Sequence, residues 1–87
     1  MKIVFDADFL KSVNDMPDNA RLKLRSLLHH LESNPFHPLL HTKRLHGELS
    51  GFYSFRITRD WRVIFYFKDI ETVQLVDVGH RKDIYRS

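Results

Sequence analysis

Residues 52–78 read Phe52-Tyr53-Ser54-Phe55-Arg56-Ile57-Thr58-Arg59-Asp60-Trp61-Arg62-Val63-Ile64-Phe65-Tyr66-Phe67-Lys68-Asp69-Ile70-Glu71-Thr72-Val73-Gln74-Leu75-Val76-Asp77-Val78, and their period decides the fold. From Phe52 to Thr58 the residue types alternate, with Tyr53, Phe55 and Ile57 on one side and Ser54, Arg56 and Thr58 on the other. A period of two marks a strand with one buried face. Arg59-Asp60 makes a tight connection. Trp61 to Phe67 then alternates again, with Trp61, Val63, Phe65 and Phe67 opposed to Arg62, Ile64 and Tyr66. A polar turn at Lys68–Glu71 leads into a further strand from Thr72 to Val78. Consecutive strands joined by short turns predict an antiparallel meander. With the Tyr53/Trp61 side against the core, Arg56 and Arg62 both point to the outer face. The outer face of a small sheet is normally wet, and a single arginine there needs no function.

Upstream of the meander the period changes. Lys2–Phe5 is short and rich in β-formers and predicts a first strand. From Ala7, the residues Phe9, Leu10, Val13 and Met16 fall at helical spacing, with Asp6 or Asp8 available as N-cap. Met16-Pro17-Asp18 breaks that helix, and Pro17 and Asp18 suit the first turn of a second. The second helix carries an apolar stripe of Ala20, Leu24, Leu27, Leu28 and Leu31, with Arg21, Lys23 and Arg25 off it, and stops near Ser33-Asn34-Pro35. Residues 35–51 read as irregular, punctuated by Pro35, Pro38, Gly47 and Gly51. The order β-α-α-β-β-β predicts a single α+β domain over residues 1–87: a small antiparallel meander with two N-terminal helices packed on one face.

Composition limits the function classes. The chain has 87 residues, enough for one modest core, which buries about 60–65% of the surface of the unfolded chain. It has no cysteine, which removes disulfides, thiolate zinc sites and a cysteine nucleophile. An acid at Asp6 interrupts the N-terminal apolar stretch too early for a signal peptide, and the run Val63–Phe67 is far short of the ~20 residues of a membrane span. A cytoplasmic location is therefore expected, with no membrane partner. Of the six histidines, His30, His37, His41 and His46 lie in or beside the irregular stretch. His37 and His41 are separated by Pro38, no HExxH pattern occurs, and no metal or other cofactor is expected.

The net charge of +3 is unevenly placed. Residues 1–42 hold five Lys/Arg and five Asp/Glu, whereas residues 43–87 hold nine and six. Any anion site is therefore sought in the second half. The tail Val78-Gly79-His80-Arg81-Lys82-Asp83-Ile84-Tyr85-Arg86 joins an imidazole, a guanidinium, an amine and a phenol. Phosphodiester chemistry uses these groups: a proton shuttle near neutral pH and a cation that bridges two phosphate oxygens. A basic tail that merely solvates a strand end accounts for the same residues.

Three segments carry a resemblance: Lys43-Arg44-Leu45-His46-Gly47 leading to Gly51-Phe52-Tyr53-Ser54-Phe55-Arg56-Ile57, then Trp61-Arg62-Val63-Ile64-Phe65, then the tail from Val78 to Arg86. Together they resemble the RelE/ParE toxin superfamily of bacterial type II toxin–antitoxin systems, over nearly the whole chain. The Gly-His-Arg…Tyr ending looks most like the RelE branch, whose members are ribosome-dependent mRNA endonucleases. The resemblance implies that Arg62 binds the phosphate at the cleavage point, Arg81 stabilises the transition state, and Tyr85 positions or activates the reacting nucleotide. His80 stands where other members carry lysine or histidine and is the best titrating candidate. Lys43, Arg56 and Lys82 are the expected RNA-binding cations. The two-lysine pattern of the type member appears here as Ser54 and Arg56, which leaves the general base open, with His46, Glu48 and Lys43 as further candidates. The implied reaction is metal-independent attack of an RNA 2′-hydroxyl on the adjacent phosphate. The implied partners are a cognate antitoxin, mRNA and the ribosome A site. The same superfamily holds ParE-like toxins, which block DNA gyrase and cleave no RNA. A non-catalytic module that docks RNA or protein through its basic sheet face is the third expectation.

Overall fold

A computed structural model describes residues 1–85; Arg86, the end of the basic tail, and Ser87 lie outside them. The elements run β1 (Lys2–Phe5), α1 (Ala7–Val13), α2 (Asp18–Ser33), β2 (Lys43–Arg44), β3 (Tyr53–Arg56), β4 (Trp61–Asp69) and β5 (Thr72–His80). They form one sheet in the order β1-β5-β4-β3-β2. Strands β3, β4 and β5 make the antiparallel meander that the alternation predicts. Two features go beyond that pattern. β1 pairs with β5 in parallel, Lys2 opposite Thr72 and Phe5 opposite Leu75, so the sheet is mixed rather than wholly antiparallel. β2 pairs with β3 inside the stretch that reads as irregular, because two residues have no period to read.

Both helices cover the same face. In α2 the residues Ala20, Leu24, Leu27 and Leu31 are buried and Leu28 is half-buried, as the stripe predicts. α1 is shorter than its apolar spacing suggests: Phe9 is buried, Leu10 is exposed, and the buried Met16 belongs to the turn after the helix. Asp6 stands at the N-cap of α1 but makes no cap bond; its carboxylate accepts instead from the side-chain amide of Gln74 on β5. Phe55, Val63, Phe65, Val73 and Leu75 supply the sheet side of the core. A β-bulge keeps that face in phase. Val63 lies opposite Val78 and Phe65 opposite Leu75, so two steps on β4 meet three on β5, with Val76 as the extra residue. Without it one of Leu75 and Val78 would turn outward, yet both are buried.

The outer face is drier than alternation predicts. Ser54 and Ile64, cross-strand partners on that face, are 1% and 4% exposed. The cause is a fold-back after β5. The amides of Asp83 and Ile84 donate to the His80 carbonyl at 2.8 and 2.9 Å, which returns the chain over the sheet. Ile84 then lies on Gly79, where an added Cβ would come within 3.1 Å of the Ile84 Cδ1. Gly79 therefore lies within β5 and serves by leaving space. We expect Gly79→Val to cost about 1–3 kcal/mol through overpacking, and Gly79→Ala clearly less, because the Ile84 methyl can give way. Urea midpoints of the two variants check this. Among the described residues no helix is long and apolar enough to cross a membrane.

Candidate functional site

The meander register places Arg56 on β3 directly opposite Arg62 on β4, and Arg62 opposite Gly79 on β5. Like charges directly opposite each other destabilise a sheet, so this pair needs a reason other than stability. In the next row, Ser54 lies opposite Lys43 of β2. With His41, which immediately precedes Thr42 and β2, these four residues line a concavity of about 160 Å³. No carboxylate lines it. The ion pairs among the described residues are Arg21–Asp18 and Arg81–Asp60, so neither Arg56, Arg62 nor Lys43 is neutralised by an acid there.

Arg62 is held before any ligand arrives. Its Nη1 donates to the carbonyls of Thr58 at 2.6 Å and Arg59 at 2.7 Å in the β3–β4 turn. One edge of the guanidinium is thus fixed by backbone, and its remaining donors are available to an anion. A cation fixed in this way stabilises developing charge without reorganising first. Arg81 is tied to the same turn: its amide donates to the Asp60 carbonyl at 2.6 Å, and its Nε lies 3.5 Å from the Asp60 carboxylate. Arg62 and Arg81 are therefore both anchored on residues 58–60.

Tyr85 reaches the concavity through the fold-back. Its hydroxyl donates to Ser54 Oγ at 3.2 Å, and Lys43 Nζ sits 5.5 Å from its ring centroid. That cation–π contact contributes about 0.5–1 kcal/mol at an exposed site. Arg56, Arg62, Lys43 and Tyr85 thus assemble on the outer face. The sequence candidates His80, Lys82, His46 and Glu48 stand apart from them. His80 lies opposite Trp61, its ring edge-on at 5.8 Å, and Trp61 packs against the core on the helix side. By the pleat, His80 takes the face away from Arg62. The Lys82 side chain is exposed, and its amide donates to His80 Nδ1 at 3.2 Å. His46 and Glu48 are exposed around the short turn Gly47–Leu49 and do not line the concavity.

Two residues of the concavity had no functional role in the sequence. Ser54 reads only as a departure from a lysine pattern, yet it is the acceptor that docks Tyr85. His41 reads only as a failed metal ligand. It adopts a left-handed backbone, φ 51° and ψ 43°, at the end of the turn Pro38–Leu40, and this brings it beside Lys43 and Arg62. A left-handed non-glycine residue carries a strain of about 1–2 kcal/mol, and no residue pattern announces it. Among the described residues no group of three or more His, Asp or Glu could hold a metal ion.

A small mixed sheet thus carries two helices on one face and a basic concavity on the other. Residues 3–85 match the family model described as the ParE toxin of type II toxin–antitoxin systems, parDE. The chain belongs to this family. Its fold is similar to YafQ from E. coli, with a TM-score of 0.80, 19% identity and 98% of each chain covered. It is similar also to the YoeB/ParE toxin from Agrobacterium tumefaciens, with a TM-score of 0.78, 19% identity, and 93% of this chain and 99% of that one covered. A third similar structure is the RelB–RelE antitoxin–toxin complex from Methanococcus jannaschii, with a TM-score of 0.78, 23% identity and 94% of each chain covered. No curated protein matches the sequence.

Proposed function

We propose that this chain is a ribosome-dependent mRNA endoribonuclease and the toxin of a type II toxin–antitoxin pair. The observation that carries the reading is the cross-strand pair Arg56–Arg62, set in a concavity with Lys43 and Ser54 and no acid. A nuclease uses such an arrangement at a scissile phosphate. The RNA's own 2′-hydroxyl is the nucleophile: its oxygen bonds to phosphorus, the bond to the 5′-oxygen breaks, one proton leaves the 2′-oxygen and one reaches the 5′-oxygen. The product is a 2′,3′-cyclic phosphate and a 5′-hydroxyl. Charge builds on the phosphoryl oxygens, where Arg62 and Arg81 act, while Arg56 and Lys43 hold the chain. Tyr85 positions the reacting nucleotide by stacking or by its hydroxyl. DNA lacks the nucleophile and is not cut this way.

The proton steps suit an imidazole, whose ordinary pKa is about 6.5. His41 lines the concavity and His80 stands against Trp61. We assign the proton step to His41. His41→Gln is then expected to slow cleavage about 100-fold. His80→Gln is expected to cut at close to the wild-type rate. The opposite pattern in single-turnover cleavage rates returns the role to His80.

Toxins of the RelE kind are seen in complex with antitoxins, as in the Methanococcus jannaschii structure. For this chain we propose a cognate antitoxin with an acidic segment that neutralises the basic face. Messenger RNA in the ribosome A site is the proposed substrate, which places the action in the cytoplasm. The test is purified protein in a translating extract with mRNA ends mapped by primer extension. New ends within codons are expected. Inhibited DNA supercoiling with intact mRNA would move the protein to the gyrase-blocking reading. Salt-dependent RNA binding with no cleavage would leave a binding module.

A further inference from the structure

A second concavity opens beside the first, and the two share His41 and Arg56. Its volume is about 460 Å³, and its lining includes Lys23, Leu39, His41, Arg56, Ile57 and Arg59. Three chain segments meet there: α2 gives Lys23, the turn before β2 gives Leu39 and His41, and the end of β3 with the β3–β4 turn gives the rest. The sequence reading leaves Lys23 simply off the apolar stripe, and Arg59 simply in a tight turn. Neither is among the ion pairs of the described residues, and no acid lines the concavity. The Arg59 carbonyl is one of the two that anchor Arg62, so the Arg59 side chain is rooted one hydrogen bond from the first concavity. Leu39 is 57% exposed and Ile57 is 3% exposed, which adds apolar lining among the three cations Lys23, Arg56 and Arg59.

We propose that this second concavity is a subsite for the neighbouring nucleotide of single-stranded RNA, with Lys23 and Arg59 on its phosphate and Leu39 against its sugar or base. The inference rests on the nuclease reading for the identity of the strand, and on the shared wall for its path. A chain held at Arg62 passes Arg56 and His41 and enters the second concavity next. An acidic protein segment would satisfy the same cations, but continuity with the Arg62 concavity favours a ligand with regularly spaced phosphates.

The test uses a 2′-O-methyl RNA oligonucleotide, which binds but lacks the nucleophile, and fluorescence anisotropy from low to moderate salt. Each phosphate contact on a single strand contributes about 0.7 to the slope of log affinity against log salt. Lys23→Ala and Arg59→Ala are each expected to reduce the slope by about 0.7, and the double variant by about 1.4. Lys68→Ala, on the far β4–β5 hairpin, is expected to leave it unchanged. In single-turnover cleavage the double variant is expected to raise the half-saturating concentration and keep the maximal rate. The Lys23, Arg59 and Lys68 side chains are all exposed, so the variants fold. Slopes equal to wild type, an equal fall with Lys68→Ala, or no measurable wild-type binding would each overturn the subsite. So would a double variant that loses an acidic protein partner but binds RNA as wild type does. If slopes fall as expected while wild type cuts no RNA, the subsite stands and the nuclease reading fails.

Discussion

Arg62→Ala is expected to lower the rate of mRNA cleavage about 10²–10³-fold while the protein remains folded. The size follows from how Arg62 is held. Two turn carbonyls fix one edge of its guanidinium, so the charge is in place when the phosphoryl oxygens gain theirs. No acid among the described residues offsets it. Removing it leaves the carbonyls of Thr58 and Arg59 near the surface, where water replaces the donor, so stability changes little. Arg62→Lys is expected to recover only part of the rate, because an ammonium lacks the planar fork that serves two carbonyls and an anion together. Arg81→Ala is expected to cost less than Arg62→Ala. Its side chain is 43% exposed and already shared with Asp60. Single-turnover cleavage in a translating extract, with circular dichroism melting of each variant, checks all three. An Arg62→Ala protein that melts normally and cuts at the wild-type rate removes Arg62 from the reaction.

The parts of this site that were legible in the sequence are those set by alternation. Period two puts Arg56 and Arg62 on the face opposite Phe55 and Val63, and the register makes them partners. The tail was legible as chemistry but not as geometry. Whether a residue after β5 meets Arg62 depends on the pleat and on the fold-back over Gly79, and both are tertiary facts. Hence Tyr85 enters the site and His80, five residues earlier, does not. β2 was hidden for a different reason. A two-residue strand is selected by its neighbour β3, and with it came Lys43 beside Ser54 and His41 beside both. The parallel pairing of β1 with β5 is likewise a choice of edge, which no local pattern encodes. The helices were legible because burial repeats along them; the early end of α1 was not, because Met16 keeps the spacing after the helix has stopped.

The largest stability effect is expected at Phe65. It is fully buried on the central strand of the meander, with ring centroids of Tyr53, Phe55 and Phe67 at 5.6, 5.9 and 5.7 Å. Truncating such a residue removes its transfer free energy and leaves a cavity that a sheet cannot close, at about 3–5 kcal/mol. A domain of this length has a total stability of about 4–13 kcal/mol at the usual 0.05–0.15 kcal/mol per residue. No disulfide adds to it. Phe65→Ala is therefore expected to lose about a quarter or more of the folding free energy and to be partly unfolded at 37 °C. Phe36→Ala is the control: its ring also lies 6.0 Å from Tyr53 and Phe67, but it is 56% exposed, and a loss below about 1 kcal/mol is expected. Urea melts of the two variants decide this, and a Phe65→Ala loss no larger than that of Phe36→Ala would refute the assignment of the core. Phe65 and Arg62 lie three residues apart on β4 and on opposite faces, so the two failures are separable. Cooled until it is folded, Phe65→Ala should cut RNA at nearly the wild-type rate per folded molecule, whereas Arg62→Ala should stay slow at every temperature.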